Sequence, residues 1–314
     1  MGAAAGLMRA ADSPEQLIEA GHWKRARELV EARIREEPND PQANFLLSQI
    51  RNAFGDYTSP LPLAEKAVAL DRGTARYHRQ LAEVLGITAQ HAGVFQQLLL
   101  ARRFRREIDA ALALDEQDVQ AWRDLMEFYL LAPGIAGGDR AKARATADRI
   151  MAIDTAEGYL ARARIAAFQK QGGEIEGLLR RAVAAQPGNY RARIALAQYY
   201  LDPGHPNAEG AEEQARKAVQ LDSGRAEAYA VLASVYADRG DWTQLDALLA
   251  SAAAESPEDR IAYYRAAERL LAAGRERQRA ARYLRLYLAQ PQEGNEPSAA
   301  DASARLALAG RAGQ

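Results

Sequence analysis

Several absences narrow the reading of this chain before any motif is found. Its 314 residues include no cysteine, which excludes disulfides, thiolate metal ligation and a cysteine nucleophile. No run approaches the roughly 18–20 apolar residues that span a bilayer, so no membrane span is expected. An excess of one charge is also lacking: 41 Lys+Arg against 42 Asp+Glu leave a formal net charge of −1. A dedicated nucleic-acid-binding domain carries a basic excess because it must displace phosphate counterions, so nucleic acid is not an expected partner. β-branched residues are sparse, and the 12 prolines fall mostly between helical runs. What is abundant is alanine, leucine, arginine and glutamate. These are good helix formers, and the expected class is all-α.

A period organises the helices. A helical run ending in alanine, a Leu-Asp or Gln-Pro junction and a new helix recur along the chain. The junctions are Glu37-Pro38, Asp71-Arg72, Asp115-Glu116, Asp154-Thr155, Gln186-Pro187, Asp222-Ser223, Ser256-Pro257 and Gln290-Pro291. Their second residues are spaced 34, 44, 39, 32, 36, 34 and 34 apart. Within a unit, spacings of three, four and seven place large residues on one helix face. Trp122, Leu125 and Tyr129 precede Ala143 and Ala147 in one unit. Leu196 and Tyr200 precede Ala211, Ala215 and Ala218 in another. Tyr229, Leu232 and Tyr236 precede Leu245, Leu249 and Ala252 in a third, and Tyr263 and Leu270 precede Tyr283 in a fourth. Small residues on a second helix allow close approach, and bulky ones on the first fill the gap to the next unit. One helix pair cannot bury its apolar face alone, so such units must stack.

On these residues and this period of about 34, the chain resembles the tetratricopeptide-repeat family over nearly its whole length. The resemblance implies a right-handed superhelical solenoid of stacked antiparallel helix pairs, about seven to eight repeats, over residues 13–291. Residues 1–12 are expected to be a disordered or trimmed segment, and residues 292–314 a capping helix and tail, with Glu293 to Pro297 as the loop. Ser13-Pro14 reads as the cap and first position of the opening helix, followed by a second helix over about Trp23 to Glu36. Met1 to Ala10 is alanine-rich but lacks a basic segment followed by an apolar one, so it is not an intact signal peptide.

Two units depart from the period, with insertions expected near 86–100 and 131–140. The first contains Gly86 to Gly93, including His91, ahead of the basic cluster Arg102, Arg103, Arg105 and Arg106. The second is Ala132-Pro133-Gly134-Ile135-Ala136-Gly137-Gly138-Asp139. Both fall between the two helices of a unit and should share one edge of the solenoid. Glycine amides can hold an anion. The bland reading is that Pro133 ends one helix and Gly137 and Gly138 turn the chain into the next. No Gly-Lys-Ser/Thr follows and no strand precedes, which excludes a phosphate-cradling P-loop and a dinucleotide fingerprint. Together with Leu125-Met126-Glu127-Phe128-Tyr129, this loop resembles a bacterial tetratricopeptide subfamily with a long third repeat. No activity comes with that resemblance. Many such members begin with export signals, which implies a periplasmic or secreted setting; a cytoplasmic one is the alternative.

Side chains that could carry chemistry are scattered. His22, His78, His91 and His205 fall in different units, and a zinc site needs three or four converging ligands, so no metal or cofactor is expected. No Gly-x-Ser-x-Gly elbow appears, and the acidic pair Glu212-Glu213 reads as a solvated helix face. The expected site is the concave groove lined by first helices. Its positions are Arg76, Arg79, Glu83, Gln120, Arg123, Glu127, Arg191 and Gln198, followed by Glu227, Ser234, Tyr264 and Glu268. Arginines there can grip a carboxylate with two parallel hydrogen bonds, or can serve as ordinary ion pairs. The arginine-rich last unit, Arg265 to Arg285, reads either as an acidic-partner patch or as a solvated face. The expected function is a non-catalytic protein–protein interaction scaffold that holds a peptide or helix in the groove. One alternative is a homo-oligomeric module packing through its end repeats. Another is a small-ligand or enzymatic site at the insertions near His91, Gly134, Gly137 and Gly138.

Overall fold

The computed structural model describes residues 13–56, 58–290 and 297–310. Over these residues the chain is a stack of eight antiparallel helix pairs closed by one further helix. The pairs are α1 (Pro14–Glu19) with α2 (Trp23–Glu36), α3 (Pro41–Ala53) with α4 (Pro60–Leu70), α5 (Ala75–Gln90) with α6 (Val94–Leu114), and α7 (Val119–Leu131) with α8 (Arg140–Ile153). They continue as α9 (Thr155–Phe168) with α10 (Gly172–Ala185), α11 (Tyr190–Leu201) with α12 (Ala208–Leu221), α13 (Ala226–Arg239) with α14 (Trp242–Glu255), and α15 (Ile261–Ala272) with α16 (Arg277–Leu288). α17 (Ala299–Gly310) closes the stack. The expected first segment, residues 1–12, lies outside the described residues, as do residues 291–296, which take in all of the expected loop but Pro297, and the last four residues.

The periodic junctions work by hydrogen bonding. Asp71 Oδ1 accepts from the Gly73 amide at 2.8 Å, Asp115 Oδ1 from Gln117 at 2.9 Å and Asp222 Oδ1 from Gly224 at 3.0 Å. Each aspartate follows a second helix and folds the chain sharply into the next unit. The next helix is then capped. Asp118 accepts from the Gln120 and Ala121 amides, Asp154 from Glu157, Asn189 from Ala192 and Asp40 from Gln42 and Ala43. A cap of this kind stabilises a helix by about 1 kcal/mol. Ser13 and Gln16 cap α1 reciprocally.

The curvature follows from residue size. The backbones of first helices of successive pairs come close along the whole stack, whereas second helices of successive pairs stand further apart and meet through long side chains, as Arg103 meets Glu65 and Arg279 meets Asp246. The first helices therefore form the inner wall and the second helices the outer one. α13 and α15 come closest, and both carry buried alanines: Ala233 and Ala237 on one, Ala262, Ala266 and Ala267 on the other. On the outer helices Ala143, Ala147, Ala211, Ala215 and Ala218 are fully buried. Leu245, Leu249 and Leu270 fill the spaces between pairs, each burial worth about 1.5–3 kcal/mol.

The curl is tight enough for the first pair to meet the seventh and eighth. His22 Nδ1 lies 2.8 Å from Glu258 Oε1, Arg25 Nε donates to the same oxygen at 2.7 Å, and Lys24 Nζ donates to the Glu258 carbonyl at 3.0 Å. Burial alone would raise the Glu258 carboxyl. The hydrogen bonds from His22 and Arg25 outweigh it and hold the group at about 2.

The first long unit is not built as its sequence suggests. The segment expected to be a loop insertion near 86–100 is helical through Gln90, turns over His91 to Gly93, and is helical again from Val94. The extra residues lengthen both helices, to 16 in α5 and 21 in α6. Gly86 sits inside α5, where a Cβ would only touch Phe104 at 3.5 Å, so this glycine permits contact without breaking the helix.

Candidate functional site

The inner wall is polar, and Arg79, Arg123 and Arg191 on it are already engaged by the chain's own carboxylates. Arg79 lies 3.5 Å from Glu83, 3.8 Å from Asp118 and 3.6 Å from Asp124. Arg123 donates to Gln120 Oε1 at 2.6 Å and lies 4.0 Å from Glu157, which also accepts from Arg191 at 2.6 Å. Glu127 accepts two bonds from Arg164, at 2.7 and 3.0 Å. Arg76 is exposed near the first pairs, over the rings of Phe45 and Tyr77, and donates to Gln42. Of the expected groove positions, Arg79, Glu83, Gln120, Arg123 and Glu127 are brought together with Asp124. Arg191 joins them through Glu157. Gln198 stands apart, further along the wall, and is exposed.

Gln198 borders a second part of the groove, a polar hollow of about 460 Å³ between α11, α13 and α15. Glu227, Ser234, Asp259, Arg265 and Glu268 line it. Burial raises the carboxyls of both Glu227 and Asp259. Glu227 has open surface, yet it sits at the floor of a concave wall, where protein replaces much of the water that would stabilise its charge. Tyr264, expected to face the groove, is buried instead. Its ring lies 5.2 Å from that of Tyr287, and Arg305 of α17 donates to its hydroxyl at 2.6 Å. The closing helix thus claims the side chain.

The two long units build a cavity together. It has a volume of about 360 Å³ and lies between α5, α6, α7 and the turn after α7. Phe104 and Phe128 stack within it, with ring centroids 4.8 Å apart and planes 14° apart. Ile87, Ala101, Leu131, Ala132, Pro133 and Ala136 complete an apolar wall, and Glu83, Asp124 and Glu127 mark its groove-side end. Burial, and after it the neighbouring Glu83, raises the Asp124 carboxyl to about 7. Burial raises Glu83 as well, against the opposing pull of Arg79 and Arg123.

The glycine loop shapes this cavity and offers no anion nest from its later amides. Those of Ala136, Gly137, Gly138 and Asp139 donate to the carbonyls of Pro133, Gly134, Pro133 and Tyr129, at 2.8–3.1 Å. Gly137 is left-handed, with φ +106°, and a Cβ there would lie 3.4 Å from Phe128. At Gly138 a Cβ would fall 1.7 Å from the Ala132 carbonyl oxygen, so only glycine fits. Gly134 has open space around it. His91 sits at the end of α5, exposed, and is absent from the cavity lining.

The other histidines are structural. His78 bonds Glu107 at 2.8 Å and the Arg72 carbonyl at 3.1 Å, and His205 stacks on Tyr199 with centroids 4.4 Å apart. Ser256, His22 and Glu258 lie together, but serine and carboxylate both face the same ring nitrogen, Nδ1, at 3.4 and 2.8 Å. A hydrolytic triad needs them on opposite nitrogens. Among the described residues no group of three or more His, Asp or Glu side chains is placed to hold a metal ion, and no helix is long and apolar enough to cross a membrane. The arginines of the last pair are stitches: Arg269 to Asp238 at 2.7 Å, Arg279 to Asp246 at 2.8 Å, and Arg275 to the carbonyls of Ala237 and Asp238.

Sequence reasoning missed Asp124, Phe104 and Phe128. The signal for Asp124 was its place one helical turn after Gln120 and one residue after Arg123, on the wall already assigned to the groove. It also missed an exposed apolar strip at the start of α6, where Val94 is 72% and Phe95 88% exposed.

Comparison with known proteins places the architecture. No family model matches the chain, and no curated protein sequence does. Solved structures do. A tetratricopeptide-repeat protein from Thermus thermophilus, TTC0263, aligns over 60% of this chain and 96% of its own, with 19% identity and a TM-score of 0.52. Yeast Tom70 aligns over 92% of this chain and 59% of its own, with 14% identity and a TM-score of 0.59. The hetero-tetramer of Cut9 and Hcn1 from APC/C aligns over 95% of this chain and 54% of that one, with 14% identity and a TM-score of 0.50. The chain thus spans little more than half the length of the last two. At these identities the likeness concerns the fold, which is the tetratricopeptide-repeat solenoid.

Proposed function

We propose that the chain is a non-catalytic interaction scaffold that receives an extended or helical segment of a protein partner along its inner wall. The observation that carries this reading is the wall itself. Seven successive first helices from α3 to α15 present exposed or half-buried polar side chains to one concave face, and solenoid curvature makes such faces into binding surfaces. The Cut9–Hcn1 structure is of an assembly between proteins, which is consistent with this use of the fold.

The contact chemistry differs along the wall. Around Arg79 and Arg123 the guanidinium groups are already engaged by the chain's own carboxylates, so a partner there meets no free arginine. The hollow around Gln198, Glu227 and Glu268 is more open. Three carboxylates there face two arginines, so this end suits a segment with a basic residue.

The test is affinity capture from lysate of the chain's own source, using Ala230→Trp with Gln198→Trp to fill the hollow. Gln220→Trp on the outer wall is the control. Replacing Arg79 or Arg123 by glutamate would be a poor probe, because it would add charge to a carboxylate cluster and disturb the fold. The expected result is a partner retained by the native chain and the outer-wall variant and lost by the filled one. Equal capture by all three would move the interface off the inner wall.

A further inference from the structure

We propose that the cavity between α5, α6, α7 and the Ala132–Ala136 turn is a binding site for a small organic cation, a protonated amine carried on an apolar body. The site goes beyond the partner groove, because most of its lining is not on the inner wall.

Size, shape and charge together point to this ligand. The volume, about 360 Å³, falls in the range of small-molecule pockets, roughly 300–1,000 Å³. The walls are apolar. Phe104 and Phe128 form a stacked floor, with Ile87 and Leu131 beside it. An aryl or alkyl group would bury its surface against these rings and contribute about 25 cal/mol per Å² removed from water.

Two neutral amides, Gln90 and Gln97, also line the cavity, but charge is confined to the groove-side end, where Glu83 and Asp124 stand, and it is under-neutralised. The nearer guanidinium, that of Arg79, is shared between Glu83 at 3.5 Å and Asp124 at 3.6 Å, and Asp118 competes for it at 3.8 Å; Arg123 attracts both carboxylates as well but is shared with Glu157 at 4.0 Å. These separations are too long for strong charge-assisted hydrogen bonds. Glu83 has one good donor, Asn52 Nδ2 at 3.0 Å. Asp124 Oδ1 has a weak one, Gln120 Nε2 at 3.4 Å. Asp124 Oδ2 is shielded from water and accepts no hydrogen bond. A buried carboxylate oxygen without a donor is costly; an ammonium at this end supplies the missing positive charge, and supplies the donor once the Asp124 carboxylate turns that oxygen toward the cavity. An anion or a neutral apolar molecule supplies neither. Glu127 lies at the same end but is committed to Arg164.

The cavity is a product of the two irregular units. It exists because α5 and α6 are lengthened, because the glycine turn brings Ala132, Pro133 and Ala136 over the opening, and because Gly137 and Gly138 admit backbone where no side chain fits. The two departures from the period thus serve one hollow.

The test is isothermal titration of the intact chain with 4-phenylbutylamine, 4-phenylbutanol and 4-phenylbutanoate, which share a body and differ in the head group. The expected result is saturable binding of the amine with a dissociation constant below about 1 mM, in keeping with its size. The alcohol should bind about 10-fold or more weakly, and the carboxylate not at all. Asp124→Asn should weaken the amine about 10-fold or more while leaving the alcohol unchanged. This variant removes a charge that is unfavourable to bury, so loss of folding is not an expected route to loss of binding. Leu131→Trp, at the half-exposed rim, should weaken amine and alcohol alike, with an unchanged helical spectrum. Absence of saturable amine binding to the native chain would overturn the proposal. So would equal affinity for amine and carboxylate, or amine binding undiminished by Asp124→Asn.

Discussion

Most of the stack from α9 onward shares one large core, with a small separate cluster around Tyr190 and Ala218, whereas the half before it is packed in three pieces. In the later half, buried side chains run in contact from Ala163 through Leu196, Tyr229 and Leu270 to Ala302. In the earlier half they gather around Leu46, around Phe104 and around Ile150 as separate clusters. The later units follow the period, and the hollow between α11, α13 and α15 is polar. The earlier ones include both departures from it, and the apolar cavity opens between them. Regular repetition makes a continuous core, and lengthening one pair opens a space that neighbouring units do not fill.

The largest expected contrast between the halves is in core truncation. Leu270→Ala, at a position with no exposed surface in the shared core, should lower stability by about 2–5 kcal/mol. Leu131→Ala, half-exposed at the cavity rim, should cost less than about 1 kcal/mol. Urea denaturation of both variants measures the difference, and equal losses would erase the distinction drawn here.

Gly138→Ala should come next. A Cβ 1.7 Å from the Ala132 carbonyl oxygen forces the backbone to move, at about 1–3 kcal/mol. The loss should be local. Amide exchange should accelerate at the end of α7 and the start of α8, while α13 and α15 stay protected.

A third contrast lies where the two ends of the curl meet. Glu258 is held at about 2, below its ordinary 4.5. A depressed carboxyl stabilises the folded state fully above the unfolded value. Its contribution fades as pH falls from about 4.5 towards 2. Glu258→Gln should cost about 1–3 kcal/mol at pH 7 and little at pH 2. It should also raise the radius of gyration seen by small-angle scattering, as the first pair leaves the turn before α15.

The smallest effect has the opposite sign. Asp124 is raised to about 7 from 3.8, so the folded chain holds its proton more tightly than the unfolded one. Stability from this group is present below the unfolded value and is lost as pH rises through 7. The charged groups facing it are Glu83 and Arg79 on α5, Asp118 at the cap of α7, and Arg123 and Glu127 on α7. Asp124→Asn should therefore stabilise the chain by about 1–2 kcal/mol at pH 8.5, with the gain gone by pH 4. Thermal melts across that range provide the check.

The stack was legible in the sequence because its causes are local and repeated. Asp71, Asp115 and Asp222 stand at the same point of three units and form the same turn, and Tyr229, Leu232 and Tyr236 show the helical face directly. The long third unit was misread because Gly86 and Gly93 look like loop boundaries, while Phe104, distant in sequence, packs beside Gly86 and lets the helix continue. The cavity was not legible at all. It depends on Phe104 meeting Phe128 across two units and on a carboxylate pair, Glu83 and Asp124, separated by 41 residues. The groove arginines were visible, but their partners were not. That Arg79 faces three of the chain's own carboxylates depends on how α5 lies against α7.

The measurement that most directly tests the central claim is amide hydrogen exchange of the chain with and without its captured partner. If the inner wall is the binding face, protection should rise on α11, α13 and α15 and leave α10, α12 and α14 unchanged. Protection confined to those outer helices, or to the exposed start of α6 around Val94 and Phe95, would contradict it.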